Sequence, residues 1–319
     1  METVFSVVGD DLKDKIFCDI FAGTGIVGRN FKTKVKQIIA NDIEYYSYVL
    51  NKNYIENCDE IKNKERYIQE LNGLALPENG FVYKNYCLGG SGERRYFSDE
   101  NGKKIDAIRQ KIEIWKTSGE INENMYYFLL ASLLESADKV ANTASVYGAY
   151  LKSIKKSAQN ELILQPAIYE FDENKHMVFN KDSNVLISQI EGDILYLDPP
   201  YNARQYGANY HLLNTIAKRD KFIPKGKTGM REYEKSNYCS SKKVAVEFEN
   251  LIKNAKFQYV FLSYNNEGLM SVENVRQIMS KYGKYDLAEI NYQRFKADKT
   301  ENRKHKADKT KEYLHILVK

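Results

Sequence analysis

Lys15-Ile16-Phe17-Cys18-Asp19-Ile20-Phe21-Ala22-Gly23-Thr24-Gly25-Ile26-Val27-Gly28 is the stretch that decides the fold. Its first half is an apolar, strand-forming run broken by one acid, and its second half spells G-x-G-x-x-G. Glycines at such a turn allow positive φ and let a ligand approach the backbone. A second apolar run, Val35 to Ala40, ends at Asn41-Asp42, after which Tyr45, Tyr48, Val49 and Tyr54 recur near helical spacing. Strand, glycine turn, helix and strand in that order open a doubly wound α/β sheet.

Further strands read at Met177-Val178-Phe179, Ile194 to Leu197, Gln258 to Ser263, Leu287 to Tyr292 and Tyr313 to Val318, seven in all. The last two read as an antiparallel hairpin. Helical stretches dominate from about Cys58 to Glu170: Ile105 to Trp115, Met125 to Ala137 and Tyr147 to Ala158. The expected organisation is a catalytic domain made of 1–57 and 171–319, interrupted by an inserted helical domain at 58–170. A length of 319 residues agrees with two domains at about 150 residues each.

Charged residues make up 29% and hydrophobic residues 43%, the balance of a soluble globular protein. No apolar run approaches the roughly 20 residues of a membrane span. Met1-Glu2-Thr3-Val4 has no basic n-region and no apolar segment follows, so a cytoplasmic location is expected. Cys18, Cys58, Cys87 and Cys239 form no C-x-x-C pair, and His176, His211, His305 and His315 show no ligand spacing, so no metal is expected. The net charge of +5 is concentrated in one place: Arg294 to Lys311 holds eight Lys/Arg against three Asp/Glu. That segment contains Lys296-Ala297-Asp298-Lys299-Thr300 and its repeat Lys306-Ala307-Asp308-Lys309-Thr310, two copies being too few for a repeat architecture.

Two motifs carry chemistry. Gly23-Thr24-Gly25-Ile26-Val27-Gly28 with Asp42, 19 residues beyond Gly23, fits any cofactor that carries an adenosine, because a ribose diol wants a carboxylate after the second strand. A dinucleotide, S-adenosylmethionine and a purely structural turn are all compatible with it. Asp198-Pro199-Pro200-Tyr201 follows the apolar run Ile194 to Leu197. Its prolines fix φ and remove two backbone donors, leaving carbonyls, one carboxylate and an aromatic ring. Such a pocket suits an exocyclic amino group, with Tyr201 stacking on a heteroaromatic base. A nicotinamide dehydrogenase would leave this motif unexplained.

Taken together, these residues resemble the N6-adenine DNA methyltransferases of bacterial restriction-modification systems in their alpha motif order. In that order the cofactor motif (here Asp19 to Gly25) precedes the recognition domain, and D-P-P-Y (here Asp198 to Tyr201) comes after it. Phe261-Leu262-Ser263-Tyr264-Asn265-Asn266-Glu267-Gly268 is similar to the family's stretch after the fifth strand. The resemblance covers roughly 12–57 and 176–319.

The resemblance implies a Rossmann-like methyltransferase sheet of seven strands, S-adenosylmethionine as cofactor, and double-stranded DNA as substrate, with a cognate restriction endonuclease as a possible partner. It implies that Asp19, Phe21, Ala22, Gly23 and Gly25 line the cofactor, with Asp19 on the methionine amino group, Asp42 on the ribose and Asp182 on the adenine. It implies that Asp198 and the Pro199 carbonyl accept from the target N6 amine, with Pro200 shaping the turn and Tyr201 stacking. It also implies a short motif close to Y-I-G-S-K before the first helix. This chain opens at Met1-Glu2-Thr3-Val4-Phe5-Ser6, inside that expected helix, so either the start is mis-assigned or truncated or this part of the pocket lining has been lost.

Two other functions remain open at this point. D-P-P-Y also occurs in enzymes that methylate ribosomal RNA bases, and a degraded cofactor site would leave a nucleic-acid-binding protein. For DNA contact, the sequence offers Arg94 and Arg95 in the Gly-rich loop Gly89 to Arg95, where a base or phosphate role stands beside that of ordinary surface arginines. It also offers Lys299, Arg303, Lys304 and Lys306 in the basic segment, as phosphate contacts or as a solvated loop.

Overall fold

The computed structural model describes residues 2–9, 11–293 and 309–319. The chain divides into two compact units: Met1–Asn51, Asp172–Gln205 and Lys235–Lys319 make the first, Lys52–Phe171 and Tyr206–Glu234 the second.

The first unit is built on one sheet of seven strands: β1 (Ile16–Asp19), β2 (Gln37–Asn41), β3 (Met177–Phe179), β4 (Glu191–Leu197), β5 (Lys256–Asn265), β6 (Lys284–Gln293) and β7 (Lys309–Val318). Their spatial order is β3-β2-β1-β4-β5-β7-β6. The first five run parallel, while β7 lies antiparallel between β5 and β6. All seven strands expected from the sequence are present, and the final pair is an antiparallel hairpin with Lys284 opposite Val318.

Cys18, Ile39, Leu195, Leu197, Val260 and Leu262 are buried among Phe248, Leu251, Ile252 and Met279 from the helices Val244–Asn254 and Val272–Met279. Strands covered on both faces need apolar side chains at successive positions, which explains the continuous runs read from the sequence. Sequence order reverses at β1, flanked by β2 and β4, and such a switch point opens a crevice beyond the carboxyl ends of the strands.

The second unit is helical. Ser98 caps Asp99–Thr117 by accepting from the Asn101 amide, and Asn122 caps Glu123–Lys139 by accepting from the Met125 amide. Ile105, Ile108, Ile112 and Trp115 on the first helix, with Phe128, Leu129 and Leu133 on the second, are buried at helical spacing.

Two expectations are corrected here. Tyr147 to Ala158 is not a helix; only a short 3₁₀ turn, Lys156–Gln159, forms there. Side chains take its backbone groups instead: Tyr96 donates to the Tyr147 carbonyl, Asn142 to that of Ser153 and Arg95 to that of Lys152, while Asn142 Oδ1 accepts from the Lys155 amide. The domain boundary also differs, because Tyr206–Glu234 lies in the helical unit rather than with the sheet. Its helix His211–Lys218 buries Leu212, Leu213 and Ile216, and its last carbonyls accept from Arg109 (Nε to Ile216 at 3.1 Å, Nη2 to Ala217 at 3.1 Å). Gln205 and Ser236, where the chain leaves and re-enters the sheet unit, exchange two hydrogen bonds of 2.8 and 3.3 Å.

Candidate active site

Asp19 ends β1, Asp42 follows β2, Asp182 follows β3 and Asp198 follows β4, so the four acids share one edge of the sheet. Register fixes their spacing: Asp19 lies opposite Ala40 on β2 and Tyr196 on β4, so Asp42 and Asp198 each stand two residues past a partner of Asp19.

The glycine turn is held from several sides. Gly23 and Gly25 have φ of +53° and +77°. Asp42 Oδ2 accepts from the Gly23 amide at 2.8 Å and its Oδ1 from the Glu44 amide at 2.8 Å. Two side chains of the helix Tyr45–Asn51 donate to the Gly23 carbonyl, Ser47 through its hydroxyl and Asn51 through Nδ2 at 3.0 Å. Asn41 links three strand ends: its Nδ2 donates to the carbonyls of Ile20 and Lys181, and its Oδ1 accepts from the Lys181 amide. Ser47, Asn51 and Asn41 were missed from the sequence. The available signal was a pair of small polar residues at i, i+4 on an otherwise apolar helix face.

A Cβ added at Gly25 would lie 2.5 Å from Asn51 Oδ1, in a backbone conformation that L-residues rarely adopt. Gly25→Ala is therefore expected to lower the unfolding free energy by about 2 kcal/mol and to weaken cofactor binding by tenfold or more. Denaturant titration and calorimetry on the same preparation check both, and wild-type cofactor affinity would remove Gly25 from the pocket lining.

Asp19 is 1% exposed. Its Oδ1 is buried without a hydrogen-bond partner, and the backbone amides of Gly28 and Phe21 only partly offset the effect of burial on the carboxyl. Burial first, then the charges of Asp198 and Asp42, push this carboxyl up to about 8. Burial also raises Asp42, against the hydrogen bonds it accepts. Asp198 is open to solvent, yet the protein crowds it enough that desolvation, with the Glu312 carboxylate second, lifts it to about 6. No cation offsets these charges among the residues that shift them. A buried, unpartnered carboxylate oxygen beside glycines fits a cationic ligand group, and the methionine ammonium of S-adenosylmethionine is one.

Pro199 is buried, Pro200 half-buried and Tyr201 37% exposed. The Tyr201 carbonyl accepts from the Leu269 amide at 3.0 Å, which ties this loop to the segment after β5. That segment is folded on itself, with Asn265 Oδ1 accepting from the Glu267 amide and the Gly268 amide donating to the Asn265 carbonyl. Phe21 meets Tyr238 edge-on at 5.0 Å. Ala22 is buried within the turn.

Asp182 has a structural task. Its Oδ1 caps the short helix Ser183–Leu186, accepting from the amides of Asn184 and Val185 at 2.8 and 3.1 Å. The arginines of the Gly-rich loop also have one. Arg94 donates from Nε to the Lys227 carbonyl, from Nη1 to that of Asn85 and from Nη2 to that of Gly226, and Arg95 donates to that of Lys152. This is the structural role that the sequence left open beside base or phosphate contact. Lys299, Arg303, Lys304 and Lys306 lie outside the described residues.

The sheet carries acids at the ends of its first, second and fourth strands around a glycine turn, the arrangement expected of an S-adenosylmethionine-dependent methyltransferase. The chain belongs to the D12 class N6 adenine-specific DNA methyltransferase family, whose model matches residues 2–278. It is 64% identical to the type II methyltransferase M.NlaIII of Neisseria lactamica, over 100% of this chain and 96% of that protein. Identity to the type II methyltransferase M.CviAII of Paramecium bursaria Chlorella virus 1 is 40%, over 90% of this chain and 86% of that one. Against the type II methyltransferase M.FokI of Planomicrobium okeanokoites it is 37%, over 100% of this chain and 51% of that protein, so the chain spans about half of M.FokI. No described helix is long and apolar enough to cross a membrane.

Proposed function

We propose that this adenine N6 DNA methyltransferase is the modification enzyme of a type II restriction-modification system, acting in the cytoplasm on one sequence of double-stranded DNA beside a cognate endonuclease. Its relatives' names support the system, and the D-P-P-Y turn beside an uncompensated cofactor acid is the observation that carries the chemistry. Bound S-adenosylmethionine supplies an electrophilic sulfonium methyl group. Asp19 would hold its ammonium, Asp42 its ribose hydroxyls, and Asp182 its adenine amine through the oxygen not used in the helix cap. Phe21, Ala22, Gly23 and Gly25 would line the same pocket.

Adenine N6 is paired inside the duplex, so the base must first leave the stack. Asp198 and the Pro199 carbonyl would then accept its two N–H groups, while Tyr201 stacks on the ring and Pro200 keeps the turn in shape. With both hydrogens held, the nitrogen is favoured as a pyramid with its lone pair free, and positioning does most of the catalysis. The methylated nitrogen must lose a proton, and an Asp198 oxygen would accept it, open to solvent for its release. The helical unit is the proposed target-recognition domain. The basic segment with Lys299, Arg303, Lys304 and Lys306 is proposed as a phosphate contact on its charge alone.

Incubating the chain with labelled S-adenosylmethionine and either genomic DNA or ribosomal RNA tests the substrate. Label in N6-methyladenine of DNA at one sequence is expected, and label in RNA alone would overturn the proposal. Because Asp198 must be ionised to accept from the amine, the single-turnover rate should fall as pH drops through about 6. A rate that is flat from pH 5 to 8 would remove that role.

A further inference from the structure

The helical unit contains an exposed turn that is braced from several sides. Lys225 and Met230 exchange backbone hydrogen bonds of 2.9 and 2.8 Å across Gly226 and Gly229, both at φ +68°. Arg94 gives two of its three guanidinium bonds to this turn, at Gly226 (2.9 Å) and Lys227 (3.2 Å), and anchors the third on Asn85 (2.8 Å). The Tyr86 hydroxyl donates to the Gly229 carbonyl at 2.7 Å, and Gly229 packs so closely that a Cβ there would lie 2.8 Å from both Arg94 and Tyr86.

Lys225, Gly226 and Lys227 are nevertheless exposed. Ordering an exposed turn costs backbone entropy that apolar burial does not return at these positions. Charge marks the same place: Lys218 to Lys227 holds five Lys/Arg (Lys218, Arg219, Lys221, Lys225, Lys227) against Asp220 alone. Lys225 pairs with Glu232 at 2.6 Å, and Lys227 lies over the Tyr150 ring at 5.2 Å.

We infer that this turn is a preformed DNA-backbone contact, with Lys221 and Lys227 on phosphates and Arg94 as the residue that positions it. The inference rests on duplex DNA being the substrate. A turn already braced before binding loses less freedom on the DNA, and a planar guanidinium spreads its donors over three nitrogens to span three separated carbonyls, which the single nitrogen of an ammonium cannot do. Arg94 then serves DNA binding through the turn instead of touching the duplex.

The test uses the full chain with two duplexes, one that it methylates and one that it does not. Lys221→Ala with Lys227→Ala is expected to weaken binding to both about tenfold and to reduce the log–log salt slope by about 1.8, at about 0.9 per phosphate contact. The melting temperature and S-adenosylmethionine affinity should hold. Arg94→Lys keeps the charge, so a direct phosphate contact would survive it; a positioning role instead raises the KM for DNA severalfold with the KM for S-adenosylmethionine unchanged. Wild-type affinity and salt slope in the double variant would overturn the phosphate contact, and wild-type KM in Arg94→Lys would overturn the bracing. Failure of the wild-type chain to methylate any duplex would overturn the DNA substrate itself, and the turn's role with it.

Discussion

Asp198→Ala should lower the methylation rate by about a thousandfold, the scale of losing one pre-oriented polar group from a transition state. S-adenosylmethionine affinity should stay within about threefold, since the change removes no hydrogen-bond partner from the cofactor acids and each threefold is only about 0.6 kcal/mol. Asp198→Asn is expected to be nearly as harmful, because the new amide can aim N–H groups at an amine that is itself a donor. The charge of Asp198 also raises the Asp19 carboxyl, so either variant should shift the pH dependence of cofactor binding downward. Single-turnover rates and calorimetric titrations at several pH values separate these effects. Loss of cofactor binding to the same extent as rate would place Asp198 in the cofactor pocket instead.

Asp19→Asn should weaken S-adenosylmethionine binding by about two to three orders of magnitude, because truncating one member of a buried charge pair costs roughly 2–5 kcal/mol. The carboxyl stands near 8 in the cofactor-free chain, so holding an ammonium requires it to release a proton. Affinity should therefore strengthen about tenfold per pH unit up to about 8 and then level off, and the Asn variant should lose this slope. Stability runs the opposite way. The native carboxyl is raised above its unfolded value, so its contribution is complete below about pH 4 and is lost as pH rises toward 8. Melting curves without cofactor should show that decline in the natural chain and a shallower one in the Asn variant. Identical curves would mean that Asp19 is ionised in the free enzyme.

The reactive centre was legible because its chemistry is local. Two positive-φ positions in Gly23 to Gly25 and two fixed φ angles in Pro199-Pro200 are properties of single residues, and the acids follow strands whose apolar runs are visible in the chain. What holds the centre in shape was harder to read. Ser47 and Asn51 look like helix surface until the Gly23 carbonyl lies beside them, and Asn41 looks like a strand end until Lys181 arrives from 140 residues away. Arg94 and Arg95 were ambiguous for the same reason, since an arginine's donors go to whichever acceptors the fold brings near.

By itself the sequence determined the seven strands, their parallel opening, the closing hairpin, the glycine turn and the acceptor-rich loop, since φ preferences and apolar patterning act over a few residues. Only the tertiary structure decided that Tyr206–Glu234 packs with the helical unit, that Tyr147 to Ala158 surrenders its helix to side-chain hydrogen bonds, and that Asp182 caps a helix. It also decided that one oxygen of Asp19 is buried without a partner. Burial and hydrogen-bond pairing depend on what lies within a few ångströms in space, and residues far apart in the chain supply most of it.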